Sequence, residues 1–196
     1  MINEIKLQHT ETGSALVRRF CAVNKIIEPR IQVKSREQYK IDTFCAYYRP
    51  SAGIVICPDR CALIGRAGRQ WSYPGHWTDR TAHGVMAHEL GHHVDVLSGK
   101  TSGGRAYTSD YSSMIRLRSG EKPLTSYCPN DGEWFAEMFR LFTTNPDLLR
   151  LIRPQTYALI RVRYAPVINQ PWIIVLADAP PRTLELVTRK LSALAI

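Results

Sequence analysis

The stretch His88-Glu89-Leu90-Gly91-His92 holds residue types at a spacing that can do chemistry. On a helix, residues four apart lie about 40° apart in projection and one turn apart in height, so both imidazoles can reach one ion. Glu89 then sits beside that ion, where a carboxylate can take a proton from a water the metal activates. The plainer reading of the same five residues is a helix with solvated or packed histidines. Context favours the metal site, because residues 81–97 read as a helix on their own, with Asp79 or Thr81 as N-cap and Gly99 as stop.

A catalytic site of this kind needs a third protein ligand and one open position. No histidine follows His93, and Asp95 and Ser98 stand where the longer HExxHxxGxxH pattern needs its glycine and last histidine, which excludes a metzincin. A downstream carboxylate is the natural substitute. Glu133-Trp134-Phe135-Ala136-Glu137 offers two on one helical face, Glu133 as ligand and Glu137 to accept a hydrogen bond from the far nitrogen of a bound histidine. Asn130-x-x-Glu133 also fits a capping box, which would account for Glu133 but not for Glu137 one turn later. Asp95, His83, His93, Asp110 and Cys128 compete as ligands. His93 and His83 lie about 100° and 140° off the His88/His92 face. Asp95 could ligate, but its expected role is to orient the ligands from beside them. The expected cofactor is one Zn2+ held by His88, His92 and Glu133.

His88-Glu-Leu-Gly-His-His-Val-Asp95, followed by Tyr127 and Glu133-Trp-Phe-Ala-Glu137-Met-Phe-Arg, resembles the gluzincin metallopeptidases, especially those of the anthrax lethal factor type and their small phage and bacterial relatives. The resemblance covers roughly residues 81–143, and its second half is the more discriminating. It implies a compact zincin-like fold in which His88, His92 and Glu133 bind zinc, Glu89 is the general base and Tyr127 stabilises the developing oxyanion. Tyr107 and Tyr111 are rivals of Tyr127, and any of the three could be a packing residue.

The elements that must position these groups give an α+β chain: a small twisted mixed sheet in the first half, the histidine helix, and helices in the second half. Residues 12–27 place Leu16, Phe20, Val23 and Ile27 at helical spacing. Ile31–Val33, Thr43–Tyr48 and Gly53–Cys57 read as strands. Residues 65–80 and 99–111 read as loops. Helices follow over 131–143, with Trp134, Met138, Leu141 and Phe142 on one stripe, then from Pro146 to Pro154 and over 155–163. A strand over 172–176 and a closing helix over 183–194 complete the chain. We expect one domain over 1–196, with an upper lobe of about 1–98 and a lower helical lobe of about 99–196.

The 196 residues carry 26 Lys+Arg against 17 Asp+Glu, a net charge of +9, and five cysteines. An odd cysteine count excludes a fully paired disulfide framework. Cys57-x-x-x-Cys61 has no second pair at finger or ribbon spacing and reads as buried thiols. There is no phosphate loop, no G-x-G-x-x-G and no zinc-deaminase pattern. No apolar run reaches the roughly 20 residues of a membrane span, and the start lacks a signal-peptide profile. The chain is therefore expected to be cytoplasmic, export by a signal-independent route aside. The basic residues are spread out, a solvated exterior that could still contact an acidic protein partner or nucleic acid.

Together these features predict a zinc-dependent metallopeptidase acting on a protein or peptide. The substrate is expected to lie extended along an exposed sheet edge, with Gly53–Cys57 as the candidate strand. The alternative is a zinc-stabilised basic binding protein with a non-catalytic site. An intact Glu89 argues against that, because a purely structural zinc site has no use for the base.

Overall fold

The computed structural model describes residues 2–39, 44–63, 75–76, 78–99, 109–125 and 128–167, with side chains from residue 6 onward. These form α1 (Ile2–Asn24), β1 (Ile31–Val33), β2 (Ala46–Arg49), β3 (Gly53–Ile56), a 3-10 turn (Pro58–Arg60), α2 (Ala82–Ser98), α3 (Asp110–Ser119), α4 (Asp131–Thr144), α5 (Pro146–Ile152) and α6 (Pro154–Arg161). The chain is α+β, as its sequence pattern indicates. The segments 172–176 and 183–194, most of 65–80, and Tyr107 and Tyr127 lie outside the described residues.

Both cap residues expected for the histidine helix are used, in series. The Thr81 hydroxyl accepts the Gly84 amide at 3.3 Å, and Asp79 in turn accepts the Thr81 hydroxyl at 2.6 Å and the Thr81 amide at 3.0 Å. At the other end the Gly99 amide closes on the Asp95 carbonyl at 3.1 Å.

The sheet has the order β1-β3-β2, with β1 parallel and β2 antiparallel to β3. Gly53–Cys57 is therefore not an edge. β3 is hydrogen-bonded on both sides and all four of its residues are buried, which corrects the expectation that a peptide could add there. A continuous Gly-Ile-Val-Ile run suits a strand covered on both faces. Gly53 begins it with φ of 76°, and a Cβ at that position would come within 2.0 Å of the Arg30 carbonyl oxygen.

α1 starts ten residues earlier than its apolar pattern suggested and stops sooner. Lys25 adopts a left-handed φ of 53°, and the Asn24 side chain is clasped by the Ala165 backbone, donating at 3.0 Å and accepting at 2.6 Å. Leu16 and Phe20 face the core as expected, but Val23 and Ile27 are exposed, their places taken by Val17 and Cys21. α3 is a helix that periodicity did not predict. α4 is buried almost all round rather than along one stripe, with Phe135 and Phe139 joining Trp134, Met138, Leu141 and Phe142 inside. One apolar cluster unites Phe20, Ile54, Leu90, Phe135, Phe139, Leu149 and Ile160, so both expected lobes share a core. Among the described residues, no helix is long and apolar enough to cross a membrane.

His83 is buried against α1, and burial, with His9 nearby, holds its imidazole down at about 4 against an ordinary 6.5. The unfolded chain therefore takes this proton first, and the stability His83 contributes is lost as pH falls from about 6.5 toward 4. Asp79 has the opposite sign: burial pushes it up to about 6, so the folded chain takes its proton first. A difference measurement isolates the histidine. We expect the destabilisation caused by His83→Gln, measured by urea unfolding, to shrink by about 1.4 kcal/mol per pH unit across that window. A penalty independent of pH would show that the imidazole titrates alike in both states.

Candidate metal centre

α2 and α4 cross with Gly91 against Ala136, and a Cβ on Gly91 would stand 2.7 Å from the Ala136 Cα. That close approach brings the His88/His92 face of α2 onto the Glu133/Glu137 face of α4. His88 Nε2 lies 3.1 Å from one Glu133 oxygen and His92 Nε2 lies 3.5 Å from the other. One ligand atom from each of His88, His92 and Glu133 lies within 4.8 Å of the others, and the group could hold a metal ion. His92 is 3% exposed at its side chain, while His88 and Glu133 keep 12% and 14%, so solvent reaches the cluster at His88 and Glu133 more than at His92.

Glu137 stands where the spacing expected it. Its Oε1 meets His88 Nδ1 at 2.8 Å, which leaves Nε2 facing Glu133. The Glu137 carboxylate also accepts Arg140 Nε at 3.2 Å, another Arg140 guanidinium nitrogen at 3.1 Å and the Thr125 hydroxyl at 3.4 Å. Burial would raise Glu137, but Arg140 and His88 outweigh it and hold the carboxyl at about 2. Burial would likewise lower His88, yet its bonds to Glu133 and Glu137 carry it up to about 10. Positive charge is thus stabilised at the point where the donor atoms converge. Glu133, despite burial, is held well below the usual carboxylate range by the two imidazoles. Glu89 is buried beside the cluster, and burial raises its carboxyl above the usual range.

The cap and ligand readings of Glu133 hold together. Asn130 Oδ1 accepts the Glu133 amide at 2.9 Å, while the Glu133 side chain faces the histidines. The two roles can be separated. Glu133→Ala should weaken metal binding by more than about 100-fold, whereas Asn130→Ala should leave it nearly unchanged and cost about 1 kcal/mol of stability. Metal titration and thermal unfolding of both variants check this, and equal metal loss in the two would remove Glu133 from the ligand set.

No protein-family model, curated protein or solved structure matches this chain.

The rival ligands have other partners. His93 is buried with Nδ1 3.0 Å from the Tyr48 hydroxyl and Nε2 2.7 Å from the Ile27 carbonyl. Asp95 is corrected from the orienting role expected of it: its carboxylate binds the Ser109 amide, the Ser109 hydroxyl and the Ser112 amide, fixing the start of α3 rather than an imidazole. Cys57 and Cys61 are buried free thiols, and Cys128 is free and partly buried. Tyr111 packs edge-on against Phe135 at 5.4 Å with the Arg163 guanidinium over its ring, so it is a packing residue. Sequence reasoning missed Arg140. Its signal was the lone cation of α4, three residues past Glu137 and set between Phe139 and Leu141.

Proposed function

We propose that the protein is a zinc-dependent metallopeptidase of the gluzincin kind that hydrolyses peptide bonds in a protein or peptide. The observation that carries this reading is the convergence of His88, His92 and Glu133 while Glu89, on the same helix, is left out of the donor set. Two imidazoles and one carboxylate form a catalytic zinc donor set that leaves a position for water. When bound there, zinc supplies Lewis-acid activation of water and of the scissile carbonyl. Glu89 accepts a proton from the attacking water and returns it to the leaving amine. Its buried setting raises the carboxyl above the usual range, which favours holding the proton between the two transfers. Tyr127 is the proposed donor to the developing oxyanion. Glu137 keeps His88 in the tautomer that presents Nε2 to the metal. β2 supports a place for the substrate, since among the described residues it is an edge of the sheet.

Zinc analysis of the purified chain, together with a proteome-wide search for new N-termini, tests this. Cleavage should require about one zinc per chain, vanish with a chelator and return when zinc is restored. A chain that binds zinc but generates no new N-termini in any extract would favour a metal-stabilised binding protein instead.

A further inference from the structure

Arg140 is 1% exposed on α4, so its guanidinium is removed from water. Compared with well-packed apolar residues, a buried ion pair contributes little net stability, so stability alone is a poor reason for a cation here. Its contacts suggest another. Two of its nitrogens grip both oxygens of Glu137, at 3.2 and 3.1 Å, a two-pronged contact that fixes the plane of the carboxylate. That carboxylate holds His88 Nδ1. The third guanidinium nitrogen donates to the His76 carbonyl at 2.7 Å. His76 belongs to the residues that lead into α2, which are fastened again where Asn145 donates to the Gly75 carbonyl at 2.9 Å and the Gly75 amide donates to Asp79 at 3.3 Å. Asp79 in turn holds the cap residue Thr81. One cation on α4 therefore reaches α2 twice, at the approach to its first turn and at the ring of His88.

We propose that Arg140 is a positioning residue for the metal centre, fixing the His88 ring through Glu137 and coupling that ring to the residues leading into α2 through the His76 carbonyl. This rests on the metal-binding part of the function proposed above and not on the peptidase reaction. Lysine cannot replace the fork, because a single ammonium cannot span Glu137 and the His76 carbonyl with the same geometry. If Arg140 couples the two places, linkage requires that metal at His88 also steady the lead-in.

The test uses the full chain with Arg140→Gln and Arg140→Lys. Zinc affinity is measured by competition with a chromophoric chelator, the zinc-free fold by thermal unfolding, and the lead-in by amide hydrogen exchange with and without zinc. The glutamine variant should bind zinc about 10- to 100-fold more weakly, and the lysine variant should recover part of that loss. Zinc should slow exchange at residues 75–76 and 78–81 in the wild type and not in the glutamine variant. Wild-type zinc affinity in either folded variant would overturn the proposal. So would a loss that lysine does not relieve and that simply follows the drop in the zinc-free melting temperature. Should the glutamine variant not fold, the lysine variant decides: intermediate affinity with a weakened exchange effect supports the positioning role, and wild-type behaviour ends it. Failure of the wild type to bind zinc at all would instead remove the metal site on which the proposal stands.

Discussion

Glu89→Gln should retain zinc and lose about 10²- to 10⁴-fold in kcat, the range expected when a positioned general base is removed. The substitution is close to isosteric, and glutamine keeps a carbonyl oxygen that can accept a hydrogen bond in the same place. His88, His92 and Glu133 are untouched, so metal content should stay at the wild-type level. Stability should hold or rise, because a buried carboxylate pays for desolvation that a neutral amide largely avoids. The measurement is a split: zinc per chain and melting temperature on one side, cleavage of a substrate identified in the proteome search on the other. A variant with full zinc and undiminished turnover would sink the assignment of Glu89 as the base. Lost turnover accompanied by lost zinc would mean that Glu89 acts on the metal instead.

Gly91→Val should damage fold and metal centre together without touching a ligand. A Cβ at this position would lie 2.7 Å from the Ala136 Cα and 3.2 Å from both its Cβ and its carbonyl oxygen. The nearest of these atoms is backbone, so no side-chain rotation relieves the clash, and α2 must move away from α4. Gly91 lies between His88 and His92 in sequence, as Ala136 lies between Glu133 and Glu137, so the same displacement pulls the histidines from the carboxylates. We expect destabilisation of about 3 kcal/mol, the upper part of the range for overpacked interiors, and a loss of zinc affinity that Gly91→Ala shows in milder form. Denaturant unfolding and zinc titration of both variants check the order. Native stability and native affinity in Gly91→Val would show that the helices do not meet where Gly91 faces Ala136.

The parts of the site that were legible in the sequence are those with short-range rules. The spacing of His88 and His92 needs nothing but a helix, and Thr81, Asp79 and Gly99 mark that helix locally. Glu133 and Glu137 were legible by elimination, once no further histidine was available. Where partners lie far apart in sequence, local reading failed. Asp95 looks like an attendant of the histidines until α3 folds back and presents Ser109 and Ser112 to it. α3 itself has little apolar signature, with Tyr111 and Ile115 its buried hydrophobic residues, and is marked instead by the Ser109/Ser112 capping box and the left-handed Gly120. The position of β3 inside the sheet depends on β1 joining it in parallel, a pairing that strand propensity does not encode. Arg140 is explicable only when Glu137 and His76 are both in place.

The sheet bounds how this protein can hold an extended chain. β2 is four residues long, and its Cys45 end is already hydrogen-bonded to Cys57, so by alternation its outward-facing backbone groups are those of Ala46 and Tyr48. A guest strand laid there would find the amides and carbonyls of Ala46 and Tyr48, too short a ladder to resist sliding by a residue or two. The main chain can thus supply direction but not address. On the proposed peptidase reaction, whatever decides which bond comes to rest over His88 and His92 has to be read from the guest's side chains.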